Sequence, residues 1–385
     1  MGKDSMESRY NAIMILHALG DTIGFKNGDW EFNYHDRDKL EVLDYVNEMI
    51  YEFIDLGGVN GIDLKDWKIS DDTFLHIAVG KSLLKYNGDV TDKLIKEIKT
   101  NLYDEAVRMW EESHGKYYAN PSDKEPEKAF ERYIGATTQH AISKFTDTFD
   151  ARYDDYDDYA GGNGAAMRAP CIGMCLRNKK NRDNLIELSI ISSQLTHNNP
   201  IGYLAGFNVA LFVALALEDV PINEWGYILL DTLRSDKLKS FLSLKDLNQS
   251  YDHNTYTRYW QKYIDTKFDA NRKPLRTRSN SNPMHRIRYF HDNFFKGTGS
   301  EQIGSSGYLC VIMAYDALLD SDGHWEKLIV YSILHSGDSD TIGAVAGALY
   351  GAVHGMGDVP ENMLKYIERK DELEDLATKL YKKFN

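Results

Sequence analysis

The chain has 385 residues, 42% of them hydrophobic, which suffices for a sizeable core in one large domain or two to three ordinary ones. Its 45 basic and 59 acidic residues leave a formal charge of −14, arguing against a nucleic-acid or anionic-membrane binder. Cys171, Cys175 and Cys310 make neither a disulfide framework nor a zinc pattern, and the first residues carry no apolar signal core, so a reducing, cytoplasmic setting is expected.

Helical periodicity dominates. Ala12, Ile13, Leu16 and Leu19 form an apolar face that ends at Gly20. In Asn27-Gly28-Asp29-Trp30-Glu31-Phe32 one acid sits on a glycine-containing loop between two aromatic side chains. Ser70-Asp71-Asp72-Thr73 opens the next helix, with Ser70 in the N-cap position and Leu75, Ala78, Val79 and Leu83 behind it. Residues 150–159 are acidic and aromatic and read as a solvated loop. They lead into Gly161-Gly162-Asn163-Gly164-Ala165-Ala166-Met167-Arg168, a glycine-rich turn whose backbone N–H groups can cradle phosphate. His197 follows as a candidate for orienting a ligand. Asn199-Pro200 then caps and starts an apolar helix over 201–217. That stretch and 342–357 fall short of the ~18–20 residues of a spanning helix and read as buried core.

Residues 269–302, rich in Arg, Ser and Asn, suggest a long surface excursion or a mobile lid. Gly304-Ser305-Ser306-Gly307 is a second glycine turn, before apolar helices over 309–319 and 328–334. His335 precedes Gly337-Asp338-Ser339-Asp340-Thr341, which opens the last apolar helix. That helix carries Gly343, Gly347, Gly351 and Gly355 on one stripe. Each glycine costs a helix roughly 1 kcal/mol against alanine, so the stripe implies close approach of another backbone. No convincing strand alternation appears. The fold expected is all-α, one multi-helix domain over 1–385.

Adjacent acids at a helix start ordinarily cap it and complement its dipole. Two such clusters, each packing two acids and a hydroxyl into a few positions, exceed that need. Their carboxylates and hydroxyls are hard oxygen donors, the set preferred by a Mg²⁺ or Mn²⁺ pair. Two metals can hold a substrate's oxygens and acidify a bridging water. With the glycine turns, the residues themselves point to a metal-dependent hydrolase acting on a phosphorylated or nucleotide-containing molecule, with the bond left open.

Taken together in their order, Ser70-Asp71-Asp72-Thr73, residues 161–173, Thr196-His197 with Gly202-Tyr203-Leu204, residues 304–318 and residues 335–341 resemble the ADP-ribosylglycohydrolases. Trp30-Glu31-Phe32 and Ala314-Tyr315-Asp316-Ala317-Leu318 resemble the family's ADP-ribosylarginine hydrolase branch. The resemblance implies an all-α fold with two Mg²⁺ ions, Mn²⁺ being a substitute, held by Ser70, Asp71, Asp72, Asp338, Asp340 and Thr341. It implies catalytic roles for Asp71, Asp72 and Glu31, the last on a segment covering the metals. It places the diphosphate at Gly161, Gly162, Asn163, Gly164 and Ala165, and gives the ligand cleft Ser305, Ser306, Gly307 and Tyr308. The implied partners are ADP-ribose and arginine-ADP-ribosylated proteins, with no nucleic acid or membrane, and the protein acting as a monomer. Asn163, Pro170, Asn198, Asn199 and Leu309 depart from the arginine branch, and Thr341 replaces its usual serine. None of these removes a metal ligand, but Asn163 and Leu309 leave the linkage open, ADP-ribosylserine being one alternative and a non-catalytic ADP-ribose-binding relative another.

Overall fold

Two helices from opposite ends of the chain, Met6–Phe25 and Ser339–His354, lie against each other with almost no side chain between them. The glycine stripe makes this possible. A Cβ at Gly343 would meet the Gly20 carbonyl oxygen at 2.6 Å, and one at Gly351 the Ala12 carbonyl at 2.6 Å. Gly347 faces the Leu16 carbonyl more tightly still, and the opposite helix contributes Gly20 and Gly24 to the same seam. Gly355 is not part of it. With φ 63° it is the residue just past the helix end, beside Asp4.

The computed structural model describes residues 4–32, 42–114, 132–145, 155–243, 247–275, 282–298 and 302–385. Among these there are many helices and no strand, only two isolated antiparallel bridges, Gly162 with Ser306 and Phe268 with Pro274. The all-α expectation holds. One hydrophobic cluster runs from Tyr10 to Leu380 and draws on every major helix. At its centre lies Pro200–Leu217, where Asn199 accepts a hydrogen bond from the Ile201 N–H at 2.8 Å and proline supplies the first helical residue. With Pro200 included this helix reaches 18 residues, enough to span a bilayer by length and composition and one residue longer than the apolar run over 201–217. It is 94% buried inside the fold, which is what a core helix requires.

The excursion expected over 269–302 needs correction. Within its described part, Pro283–Phe290 is a helix, capped by Asn282 through the His285 N–H at 2.9 Å. Arg286 on this helix is buried against Asp316 and Asp320, and Lys267 completes the cluster at 2.8 Å from each acid. Two cations facing two anions explain how four charges are tolerated there. Residues 276–281 and 299–301 of the excursion, and 150–154 of the acidic loop, lie outside the described residues.

Candidate metal centre and cleft

Every backbone N–H at the start of the Asp71–Leu83 helix is already taken. Asp72 N–H donates to Ser70 Oγ (3.2 Å) and Asp71 N–H to the Arg132 carbonyl (3.3 Å). Ser70 N–H and Thr73 N–H donate to the two carboxylate oxygens of Asp21, at 3.0 and 3.1 Å, and the Thr73 hydroxyl joins them. The capping duty therefore falls on Ser70 and Asp21, and not on the two adjacent acids, which are left to face a cleft. Nothing in the periodicity singled out Asp21. Its one signal is an acid between Gly20 and Gly24, just after the apolar run Ala18-Leu19.

The second acidic turn meets the first. Thr341 Oγ1 donates to Asp72 Oδ1 at 3.3 Å, and Phe32 N–H donates to the Gly337 carbonyl at 3.0 Å, which ties the Glu31 segment to the same place. In the first turn of this helix the Thr341 N–H donates to Asp340 Oδ1 at 2.8 Å. His335 is structural. Its Nε2 donates to the Ser332 carbonyl (2.8 Å), its Nδ1 accepts from the Gly337 N–H (3.1 Å), and burial lowers its pKa to about 4.

Burial, followed by the charges of neighbouring acids, pushes the carboxyls of Glu31, Asp71, Asp72 and Asp340 well above their ordinary range. Burial also raises Asp338, and raises Asp21 to about 6. Three oxygens in this group, Glu31 Oε2, Asp72 Oδ2 and Asp338 Oδ1, are sealed from solvent without any hydrogen-bond partner. Unpartnered buried carboxylate oxygens next to like charges are costly unless a cation answers them. The donor set is all hard oxygen, which fits Mg²⁺ or Mn²⁺. Among the described residues no trio of His, Cys, Asp or Glu converges on one point, so the acids line a cleft rather than close a cage.

The two glycine turns, far apart in sequence, pair with each other. Gly307 N–H donates to the Gly161 carbonyl at 3.0 Å beside the Gly162–Ser306 bridge. Gly304, at φ 87°, takes a left-handed conformation that brings the turn against Asp338. Asn163 joins the parts. Its amide donates to the Gly304 carbonyl (3.1 Å) and to Asp338 Oδ2 (2.8 Å), which leaves Oδ1 of that acid free.

The resulting cleft of about 210 Å³ brings together Glu31, Asp71, Asp72, Gly162, Asn163, Gly164, Ser305, Asp338, Asp340 and Thr341. Other expected residues lie outside its lining. Ser70 is turned inward as the helix cap, and Ala165 is buried under the turn. Gly161, Ser306 and Gly307 form the pairing between the turns. Tyr308 stacks on Tyr259 (ring centroids 4.2 Å apart, 8° between planes) and donates to the Phe294 carbonyl at 3.2 Å. A bridged turn presents alternate residues to opposite sides, which separates Ser305 from Ser306.

Some lining residues were not anticipated. Thr137 and Thr138 enter from the start of the Ala136–Ser143 helix, and Gln302 from beside the second turn. His197 also lines the cleft, and burial followed by the Arg168 charge lowers its pKa to about 3, so the ring is neutral. Arg168 is buried beneath the turn. It holds the Gly164 carbonyl, the Ser192 carbonyl (3.1 Å) and Thr196 Oγ1 (2.7 Å), and so fixes the turn from below.

Comparison with known proteins gives a consistent picture. The sequence profile of the ADP-ribosylglycohydrolase family matches residues 2–385. A protein of Acanthamoeba polyphaga mimivirus, whose name assigns it provisionally to the ADP-ribosyl glycohydrolases, is 36% identical over 94% of this chain, which spans 66% of that relative's length. The Dictyostelium discoideum protein named ADP-ribosylhydrolase ARH1 is 32% identical, over 95% of this chain and 92% of its own. The Bos taurus protein named ADP-ribosylhydrolase ARH3 is 24% identical, over 98% of this chain and 93% of its own. A solved structure titled ADP-ribosylglycohydrolase-related protein complex superimposes with a TM-score of 0.57 at 19% identity, covering 98% of both chains, and shares the fold.

Proposed function

The chain belongs to the ADP-ribosylglycohydrolase family, and from that premise we propose that it hydrolyses the N-glycosidic bond of ADP-ribosylated arginine on proteins, releasing ADP-ribose, with two Mg²⁺ ions as cofactor. The observation that carries this reading is the convergence of five carboxylates on one cleft, three of their oxygens unpartnered, beside two paired glycine turns.

Asp71, Asp72, Asp338, Asp340 and Thr341 would hold the cations, with Ser70 supporting them as the cap behind Asp72. Cations held there would supply Lewis acidity for substrate oxygens and for acidifying a water. The protein's own groups do the rest. N–H groups of the Gly162–Gly164 turn meet the diphosphate, and buried Arg168 keeps that turn from shifting. Asp72, through the unpaired Oδ2, takes the proton of the attacking water. Developing positive charge at the anomeric carbon meets a ring of fixed carboxylates that need no reorganisation. Glu31, on the segment tied to Gly337, covers the site and yields to substrate.

The arginine linkage is favoured by Trp30-Glu31-Phe32 and Ala314-Tyr315-Asp316-Ala317-Leu318, which resemble the family's ADP-ribosylarginine hydrolase branch. ADP-ribose release from arginine-linked and serine-linked peptides, each with Mg²⁺ and with EDTA, tests it. Release from the arginine-linked peptide alone, abolished by EDTA, is expected. Equal or faster release from the serine-linked peptide would overturn the arginine assignment.

A further inference from the structure

We infer that Asp21, which no motif assigns to the site, is a positioning residue for the cation centre: it takes over the capping of the Asp71–Leu83 helix so that Asp71 and Asp72 stay turned into the cleft. The inference rests on the metal-dependent reading above and adds a residue to it.

The first four N–H groups of a helix lack partners within the helix, and a nearby carboxylate is the usual remedy. In Ser70-Asp71-Asp72-Thr73 two carboxylates sit where they could serve, and doing so would draw them away from any ligand. Asp21 removes that pull. One of its oxygens accepts the Ser70 N–H at 3.0 Å, and the other accepts the Thr73 N–H at 3.1 Å and the Thr73 hydroxyl. With the Asp72 N–H on Ser70 Oγ and the Asp71 N–H on the Arg132 carbonyl, each backbone donor of this turn has a partner other than the two acids. Asp72 Oδ2 is accordingly left without a partner at the cleft.

The location of Asp21 follows from its neighbours in sequence. Gly20 and Gly24 let the backbone of the Ser339–His354 helix press against this stretch, and Ser339 Oγ donates to the Gly24 carbonyl at 2.7 Å. The same short stretch thus contacts the start of both acid-bearing helices. Asp21 is fully buried, and neither of its oxygens lines the cleft, so it acts through the helix start and not as a ligand. Groups that orient metal ligands typically change metal affinity by roughly 10–100-fold when altered.

Asp21→Asn keeps the shape but turns an N–H₂ toward at least one backbone donor. The test is calorimetric titration of the full-length variant with Mg²⁺, alongside its melting temperature with EDTA and with Mg²⁺. A roughly tenfold or greater loss of Mg²⁺ affinity, with a reduced Mg²⁺-induced rise in melting temperature, is expected. A variant that melts lower in EDTA yet binds Mg²⁺ as the parent does would show a purely structural residue and overturn the inference. Should Asp21→Asn not fold, Thr73→Val removes only the hydroxyl donor to Asp21; a weaker Mg²⁺ affinity supports positioning, and an unchanged one refutes it. A parent protein that binds no Mg²⁺ would defeat the metal-dependent reading itself, whereas tight parent binding with an unaffected Asp21→Asn would defeat this inference alone.

Discussion

At the scale of single residues, the acids of the cleft behave as a group whose members repel one another until a cation is present. Asp72→Ala and Asp338→Ala should each lower turnover by roughly 10²-fold, because each deletes an oxygen that has no protein partner. An Asp72→Ala enzyme that releases ADP-ribose at the parent rate would refute the ligand assignment. Glu31→Gln keeps shape and removes one charge from beside Asp340, Asp338 and Asp71. In EDTA its melting temperature should equal or exceed the parent's, while turnover or the Mg²⁺ requirement changes. If kinetics and Mg²⁺ titration both match the parent, Glu31 has no part in the chemistry. The acid pairs were legible in sequence because two carboxylates and a hydroxyl in one helical turn exceed what capping needs. Asp21 was not, since its partners lie 49 and 52 positions away. Nor could a motif say that Ser305 faces the cleft while Ser306 and Tyr308 do not. That depends on a bridge between turns distant in sequence.

Helices were read well where their signals were apolar and poorly where they were charged. Glycines four apart announced the close seam with the N-terminal helix. Gly347→Leu should therefore destabilise the fold by about 1–3 kcal/mol or more, since the new side chain would collide with the Leu16 carbonyl. An unchanged melting temperature would mean the seam can open at no cost. Asn282-Pro283 carries the same cap-and-proline signal as Asn199-Pro200, but basic and polar residues surround it and hide the helix from a hydrophobic pattern. Its apolar anchor is replaced by Arg286 in a buried charge cluster, which hydrophobic periodicity does not register. The helices Asp92–His114 and Lys370–Phe384 combine a buried apolar face (Leu94, Ile98 and Leu102; Leu373, Leu376 and Leu380) with a charged outer one. Glu372 draws Lys81 (2.8 Å), Arg108 (3.0 Å) and Arg369 (3.0 Å) together across them. Burial would raise the Glu372 pKa, but the hydrogen bonds from Lys81 and Arg108 outweigh it and hold the carboxyl at about 2. A depressed carboxyl stabilises the fold above its unfolded pKa of about 4.3 and loses that effect as pH falls toward the folded value. Glu372→Gln should cost on the order of 1 kcal/mol at neutral pH, the pairs being partly exposed. The gap between parent and variant should close between about pH 5 and pH 2. A gap independent of pH would show that packing, and not charge, is what the substitution removes.

Across the whole molecule, the cleft joins residues near both ends of the chain, so cation binding and global stability are linked. Asp71 and Asp72 stand on one helix start, Asp338 and Asp340 on another, and a side-chain hydrogen bond from Thr341 to Asp72 at 3.3 Å links the two. Without a cation the two starts repel, and burial magnifies the repulsion. A cation between them converts that repulsion into a cross-link that the unfolded chain, with its acids far apart and solvated, cannot reproduce. Binding to the native state alone stabilises it by about 2.7 kcal/mol when the free ligand stands at 100 times its dissociation constant. Scanning calorimetry of the parent should therefore show a melting temperature that climbs with Mg²⁺ concentration and falls back with EDTA. Asp72→Ala and Asp338→Ala should respond more weakly than the parent in this experiment. Each relieves repulsion, so each should melt no lower than the parent in EDTA, and each should gain less from Mg²⁺. If Mg²⁺ raised the melting temperature of parent and both variants equally, the stabilising ions would be binding elsewhere on a surface of charge −14, and the cleft would not be the metal centre.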